Sequence, residues 1–298
     1  MCYSPHRAAL RVASLICLCG GCAGPVWSAA PDYEALVSGK LAATEDGEVM
    51  RLGAAPQEFI ALFIAASDAG PKRAAVILHG MGGHADWPDV VAPLRRGLPA
   101  QGWATLSIQL PVLAPGVPSA DYGATLRRVP VRIDSAVACL SQRGYRKLAI
   151  IGYGFGATAA AQYLAAHGRG FSAFVGISMH APPFLDPPSD LPDSLLHVPV
   201  PVLDIYGSRD HADILSQADD RRLAGTQNRE RSYEQVLIDR ADHDYAGFES
   251  ALINRIAAWL DLTATQAGPA GGTAVAGNRG FAARANNGGN DACQARPN

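Results

Sequence analysis

The stretch KLAIIGYGFGATAA, residues Lys147 to Ala160, decides the fold of this chain. Its first half is an apolar run typical of a buried strand, and the run breaks at Gly-Tyr-Gly-Phe-Gly. Its second half is rich in alanine, which has the highest intrinsic helix propensity. The pattern therefore predicts a strand that enters a sharp turn at Gly154 and continues as a helix.

Short apolar runs alternate with amphipathic stretches on both sides of this unit. The predicted strands are Glu58–Ala65, Ala74–His79, Ala104–Leu110, Lys147–Gly152, Ala173–Met179, Val202–Gly207 and Tyr233–Ile238. The predicted helices are Asp89–Ala100, Pro130–Arg143, Ala157–His167, Ile214–Leu223 and Phe248–Leu262. Such alternation is typical of the α/β class and predicts a mostly parallel, twisted sheet with helices on both faces.

The length and composition fit one such domain with end segments. The chain has 298 residues, of which 48% are hydrophobic, so it can bury a full core. We expect an N-terminal segment at 29–55, an α/β domain at 56–262 and a disordered tail rich in Gly, Ala and Asn at 263–298. The net charge of -2, with 17% charged residues, excludes a basic surface of the kind that binds nucleic acid.

The first 28 residues resemble an export signal. His6, Arg7 and Arg11 form a positive end, and the apolar stretch Val12–Cys22 is too short to span a bilayer. We expect cleavage after Ser28 and a periplasmic location.

Two alternatives stay open at this end of the chain. Lipoprotein processing at LCGGC would attach a lipid to Cys22, although Cys19 stands where leucine is usual. The segment could also stay attached as a membrane anchor. Membrane association is expected only if Cys22 carries a lipid or the segment is retained.

Four of the six cysteines lie in this N-terminal segment. The remaining two, Cys139 and Cys293, could pair in an exported chain. Because Cys139 falls on the apolar face of a predicted helix and Cys293 falls in the predicted tail, we expect a buried free thiol instead.

Polar groups follow four of the predicted strands. They are HGMGGHADW (His79–Trp87) after the second strand, the Gly154 turn after the fourth, YGSRD ending at Asp210 after the sixth, and DRADHD with His243 after the seventh. Ligands of open parallel sheets bind beyond the carboxyl ends of the strands. We therefore expect these groups to line one cleft.

The order of these four groups resembles the α/β-hydrolase superfamily, over about residues 56 to 262. The resemblance implies that His243 is the general base, that Asp210 fixes its tautomer and that Gly154 occupies the nucleophile position. It also implies an oxyanion and binding region formed by Gly80, Met81, Gly82, Tyr153 and Phe155. Within the superfamily, HGMGGHADWPDVVAPLRRGLPAQGWATLSIQLP is similar to an exported bacterial family called domain of unknown function 3530.

The chain departs from the superfamily pattern at Gly154, which carries no nucleophile. Tyr153 is expected to face away from the gap, and Thr158 and Ser178 lack the position of an elbow residue. A route without a covalent intermediate remains, in which the His243–Asp210 pair activates water in the space left by the missing side chain.

Four further residues are candidate ligand contacts: His79, His84, Ser178 and His180. His79 is also expected to hold its loop in place, and His84 to support the start of the next helix. His79, His84, His180 and Asp210 show no ligand spacing of a known metal site, so we expect no metal and no cofactor.

Three functions remain open. The first is a non-catalytic or strongly altered hydrolase that binds a small or lipid-like, hydrophobic ligand, and the second is a hydrolase of ester or acyl bonds that uses water. The third is a structural or interaction protein of the envelope that uses its surface and its tail. The loops Val112–Val129 and Ala181–Pro201, rich in proline, are candidates for a small lid over the cleft.

Overall fold

The computed structural model describes residues 32–68, 70–168, 170–266 and 293–295. The predicted signal peptide at 1–28, with Cys22, lies outside the described residues, as do 267–292 of the predicted tail. Among the described helices, none is both long enough and apolar enough to cross a membrane.

A single sheet runs through the described part of the chain. Its strands are β1 Glu48–Leu52, β2 Phe59–Ile64, β3 Arg73–Leu78, β4 Ala104–Ile108, β5 Lys147–Tyr153, β6 Ala173–Ile177, β7 Val202–Arg209, β8 Tyr233–Asp242 and β9 Cys293–Ala295. Their spatial order is β8-β7-β6-β5-β3-β4-β2-β1-β9. The strands from β8 to β4 run parallel, whereas β2, β1 and β9 add antiparallel pairs. The predicted α/β class with a mostly parallel sheet is confirmed.

Helices cover both faces of the sheet. They are α1 Tyr33–Leu41, α2 Val91–Gly97, α3 Tyr122–Thr125, α4 Val129–Gln142, α5 Phe155–His167, α6 Leu191–His197, α7 Ala212–Ser216, α8 Ala218–Gln227 and α9 Glu249–Gln266. Alternate residues of β5 point to opposite faces, as a strand requires. Leu148 and Ile150 pack with α4, α5 and α6, whereas Ala149 and Ile151 pack with α2 and α9.

Some element boundaries differ from the prediction. The expected helix Ile214–Leu223 is two helices, because the chain bends at Gln217, whose side chain bonds both the amide and the carbonyl of Ala181. Strand β8 extends past Ile238 to Asp242 because it continues to pair with β7 beyond a bulge. The strand therefore ends directly before His243.

Strand β1 was not predicted within the N-terminal segment 29–55. Its sequence, EVMRL, buries Met50 and Leu52 and exposes Arg51 between them. That alternation is a strand signal, but the strand is only five residues long and carries two charged side chains. Its pairing with β2 supplies the rest of its stability.

The expectation of a free thiol at Cys139 is wrong. Strand β9 pairs with β1, with Cys293 opposite Leu52, and this brings the Cα atoms of Cys139 and Cys293 to 5.2 Å in a disulfide bond. The bond closes a sequence separation of 154 residues. Residues 293–295 of the predicted tail are therefore ordered against the sheet edge.

The two loops predicted as a lid pack against each other. The amide of Asp186 donates to the carbonyl oxygen of Ala120 at 2.9 Å. A side chain at Gly123 would meet the carbonyl oxygen of Asp186 at 2.5 Å, so glycine is required for this contact. Tyr122 and Leu185, one from each loop, pack together on Phe155 at the start of α5.

The disulfide generates a stability prediction. Cys139→Ala and Cys293→Ala are each expected to lower the free energy of unfolding by about 2–5 kcal/mol, since the unfolded chain regains the freedom of a long loop. The free energy of unfolding of the double variant should fall by no more than the larger of the two single decreases plus the small packing cost of the second alanine. Urea unfolding of the three variants, beside the unmutated protein with and without reductant, measures this. Fully additive losses, or no effect of reductant, would show that the cysteines are not paired.

Candidate active site

The turn between β5 and α5 has the geometry of a nucleophile elbow. Gly154 adopts φ +53° and ψ -118°, a conformation that glycine takes without steric cost. Its amide donates to the carbonyl oxygen of Ile177 on the neighbouring strand at 2.9 Å. The turn therefore sits at the carboxyl edge of the sheet, with helix α5 starting at the next residue.

The glycines on either side of the turn are required for packing. A Cβ atom at Gly152 would lie 2.4 Å from the Cα atom of Ala157, and one at Gly156 would lie 2.5 Å from the carbonyl oxygen of His79. Both distances are too short for any side chain. Because both positions are glycine, α5 can begin directly against the backbones of β5 and of the loop after β3.

Gly154 differs from these two glycines because its surroundings leave room for a side chain. The nearest atom to a Cβ at this position would be the Cα atom of Gly80, at 3.9 Å. Packing therefore does not require glycine at the centre of the elbow.

Asp210 and His243 form a close pair. Nδ1 of His243 donates to Oδ1 of Asp210 at 2.7 Å, and the Asp210 side chain is fully buried. Asp210 follows β7 and His243 follows β8, so the register of two neighbouring strands brings them together. With its proton on Nδ1, His243 presents Nε2 to the cleft, where it has no partner among the described residues.

The buried carboxylate of Asp210 has further donors. Ser178 Oγ donates to its Oδ2 at 2.5 Å, and the amide of His211 donates to its Oδ1 at 2.9 Å. Burial alone would raise the pKa of Asp210, but the hydrogen bonds from His243 and Ser178 outweigh burial and hold the pKa below its usual value. Asp210 is therefore ionised and fixes the orientation of the imidazole.

Ser178 lies behind this pair, not in the cleft. It is fully buried, adopts φ +52° and lies 3.1 Å from the hydroxyl of Tyr245. The structure therefore gives this candidate ligand contact a different task, that of holding Asp210. The positive φ, which strand prediction cannot show, turns its side chain toward the end of β7.

His79 is buried beneath the loop Gly80–Gly82. Its Nε2 accepts from the amide of Leu110 at 2.9 Å, and its Nδ1 donates to the carbonyl oxygen of Gly80 at 2.8 Å. Burial lowers the pKa of His79 to about 3, so the ring is neutral and anchors the loop.

Two backbone amides beside Gly154 have no acceptor among the described residues. They belong to Met81 and Phe155, which line the cleft. Phe155 is the first residue of α5, whose N-terminal dipole favours negative charge. The two amides are suited to hold an oxygen atom in the manner of an oxyanion hole. Gly82 lies outside the cleft lining, and Gly83 takes part in its place.

The cleft around these groups has a volume of about 270 Å³. It is lined by Gly80, Met81, Gly83, Trp87, Tyr153, Gly154, Phe155, His180, Phe184, His211, His243 and Asp244. No serine, threonine or cysteine is among these lining residues. Phe184 comes from the second predicted lid loop, so that loop contributes one wall.

Tyr153 supplies the sole side-chain hydroxyl among the lining residues. The expectation that it faces away from the gap is wrong: its ring lies 5.0 Å from that of His243, and its hydroxyl donates to the carbonyl oxygen of His243 at 3.2 Å. Burial, reinforced by Asp244 and Asp210, raises the pKa of Tyr153 well above its usual value. The phenol is therefore a structural donor and a poor nucleophile.

The remaining candidate contacts divide between the cleft and its surroundings. His180 lines the cleft, and burial lowers its pKa. His84 lies outside the lining, where its Nδ1 accepts from the amide of Asp86 and its ring packs on Trp87. Among the described residues, no group of three or more His, Cys, Asp or Glu side chains is arranged to hold a metal ion.

Sequence reasoning missed two polar residues of the cleft, His211 and Asp244. The ring of His211 lies 4.3 Å from that of His243. Each is the chain neighbour of a residue that was predicted, Asp210 or His243. Their adjacency in sequence to these predicted residues was the signal that could have identified them.

A family profile described as protein of unknown function (DUF3530) matches residues 21–128 and 114–262 of this chain. No curated protein matches it.

Several solved structures share the fold. A dienelactone hydrolase from Anabaena variabilis is similar with a TM-score of 0.59 and 22% identity, over 72% of this chain and 96% of that chain. Est1E from Butyrivibrio proteoclasticus is similar with a TM-score of 0.59 and 14% identity, over 74% and 100%. An α/β serine hydrolase homologue from Coxiella burnetii has a TM-score of 0.57 and 16% identity, over 73% and 99%. These likenesses confirm the predicted α/β-hydrolase fold.

The role of Ser178 can be tested by titration. Ser178→Ala is expected to raise the pKa of Asp210, because the carboxylate loses a donor. A lowered pKa in the folded state adds stability above the unfolded pKa of about 3.9, and this is lost as the pH falls through the folded value. The free energy of unfolding of the variant should therefore be about 1.5–3 kcal/mol lower near neutral pH, and the decrease should be smaller in acid.

Carbon-13 NMR of the Asp210 carboxyl and urea unfolding at several pH values measure the two effects. Ser135→Ala removes a half-buried serine on α4, far from Asp210 in sequence, and serves as the control. An unchanged Asp210 titration in Ser178→Ala would contradict the assignment.

The elbow glycines give a matched pair of substitutions. Gly154→Ala has space and should cost only the strain of its backbone, about 1–3 kcal/mol. Gly156→Ala meets backbone oxygen atoms of Leu78 and His79 and must displace α5, so we expect a larger loss of unfolding free energy. Urea unfolding compares the two variants, and equal losses would contradict the packing argument.

Proposed function

This chain belongs to the DUF3530 family, and we propose that it is an exported protein of the α/β-hydrolase fold that binds a small, largely apolar ligand without hydrolysing it. The observation that carries this proposal is Gly154 at the nucleophile position. In serine hydrolases, loss of the nucleophile costs on the order of 10⁶ in kcat.

No other side chain replaces the missing nucleophile among the residues that line the cleft. Tyr153 is the sole hydroxyl there, and its raised pKa opposes ionisation. Thr158 is fully buried and donates to the carbonyl oxygen of His180. Ser178 is engaged with Asp210. Among the residues that line the cleft, an acyl-enzyme route therefore has no hydroxyl or thiol activated for attack.

The cleft retains the features of a binding site. Trp87, Phe155 and Phe184 provide apolar and aromatic walls, while His243 and two free backbone amides provide polar groups at one end. Ligand sites combine these features, with mostly apolar lining and few convergent polar groups.

Export is supported by the disulfide between Cys139 and Cys293, since such bonds persist in oxidising compartments. The apolar N-terminal stretch with its positive end agrees with this location. We propose a periplasmic protein, with lipid attachment at Cys22 as the alternative.

A second function is favoured by the contact of 2.7 Å between His243 and Asp210. In this alternative, water occupies the space beside Gly154 and Nε2 of His243 takes its proton as the oxygen attacks an ester carbonyl carbon. The amides of Met81 and Phe155 hold the oxyanion that forms. The leaving alkoxide then takes the proton from His243, giving an acid and an alcohol.

Ester hydrolysis separates the two functions. We expect the mature protein to hydrolyse p-nitrophenyl acetate and p-nitrophenyl octanoate no faster than its His243→Ala variant. Gly154→Ser should introduce hydrolysis at least about 100-fold above this level, because a serine Oγ regains a base and an oxyanion hole. Initial rates of p-nitrophenol release measure both effects.

Two controls complete this experiment. Gly154→Ala adds the same Cβ atom without the hydroxyl and should stay inactive. Adding His243→Ala to Gly154→Ser should abolish the new activity. Turnover by the unmutated protein that disappears in His243→Ala would overturn the non-catalytic proposal in favour of water activation.

A further inference from the structure

We propose that the ligand is a small carboxylic acid with an apolar body, whose carboxyl group fills the space left by the missing serine side chain. This inference rests on the proposed binding function and specifies its ligand. It follows from the shape of the space at Gly154, the donors around it and the charges that face it.

The space at Gly154 is suited to a carboxyl group in particular. In an acyl-serine intermediate, the acyl carbon carries one oxygen in the oxyanion hole and a second oxygen that belongs to the serine. A free carboxyl group has the same two oxygen atoms on one carbon. Because the nearest atom to a Cβ at Gly154, apart from the adjoining residues of the turn, is the Cα atom of Gly80 at 3.9 Å, the second oxygen of an acid can occupy the position of a serine Oγ.

The first oxygen of the acid has two donors. Met81 and Phe155 both line this space, and their amides have no acceptor within the described residues. Helix α5 is 13 residues long and begins at this point without a side-chain cap, so its N-terminal dipole adds to the attraction of a partly negative oxygen.

The second oxygen of the acid meets Nε2 of His243. Because Nδ1 donates to Asp210, Nε2 is the atom that can share a proton with this oxygen. Asp244 lines this end of the cleft and the buried Asp210 lies directly behind His243, and the negative charges of both carboxylates disfavour a bare carboxylate. The acid is therefore bound together with one proton, held between its oxygen and Nε2. The other titratable groups that face His243 are His180, His211 and Tyr153.

The side chains that line the cleft determine the size and the apolar character of the rest of the ligand. Trp87, Phe155, Phe184 and Met81 surround the space beyond the polar end. The volume of about 270 Å³ falls just below the range of about 300–1,000 Å³ for drug-sized ligands. The ligand is therefore of the size of a single aromatic ring or a medium alkyl chain.

Calorimetry with an acid and its ester tests the inference. The probes are 3-phenylpropionate, octanoate and methyl 3-phenylpropionate, because the methyl ester keeps the apolar body and loses the proton that His243 would share. We expect at least one acid to bind the unmutated protein, and 3-phenylpropionate to bind at least about 10-fold more tightly than its ester. The affinity for the acids should fall in Gly154→Ser, whose Oγ fills the space, and the preference for the acid over the ester should disappear in His243→Ala.

His197→Ala is the matched control, since His197 is an exposed histidine at the end of α6. It should bind the acids as the unmutated protein does. Thermal unfolding of each variant shows whether a loss of affinity results from loss of the folded structure. His243→Gln provides a second variant with a side chain of similar size.

Each result supports or overturns the inference. Equal affinity for 3-phenylpropionate and its ester would overturn the recognition of a carboxyl group and leave a ligand-binding cleft. Failure of both acids to bind would also overturn it. Hydrolysis of the methyl ester by the unmutated protein, lost in His243→Ala, would instead overturn the proposed function on which the inference rests.

Discussion

The site depends on the close contact between the first turn of α5 and the strand ends beneath it. A Cβ atom at Gly152 or Gly156 would lie 2.4 Å or 2.5 Å from a backbone atom, which is too close for any non-bonded contact. Their absence lets the helix begin at the sheet edge, where the loops after β3, β7 and β8 converge. The free amides, the acid–histidine pair and the cleft are all positioned by this one packing constraint.

The Asp210–His243 pair has a structural reason to persist without a nucleophile. A fully buried carboxylate is costly unless it is hydrogen-bonded, and Asp210 takes its donors from His243, Ser178 and the amide of His211. Removing the histidine would deprive this buried carboxylate of one of its hydrogen-bond donors. Retention of the pair is therefore weak evidence for turnover, and the presence or absence of an attacking atom is the stronger criterion.

The residues that sequence reasoning predicted well are those with local signals. Apolar runs flanked by turn residues located β2 to β8, and the order of polar strand ends located the acid, the histidine and the elbow. What it missed depends on contacts that are distant in sequence. The pairing of β9 with β1 brings Cys293 to Cys139, and the backbone of Ser178 directs its hydroxyl to Asp210. Neither arrangement has a pattern within a short stretch of sequence.

The unequal freedom of the three elbow glycines has an evolutionary consequence. Codons for glycine and serine can differ by a single base, and the space at Gly154 means that such a change would collide with no neighbouring residue and would cost only the strain of the positive φ. A side chain at Gly152 or Gly156 is excluded by the backbone atoms around these positions. The elbow can therefore change at its centre without displacing α5, whereas its two flanking positions cannot.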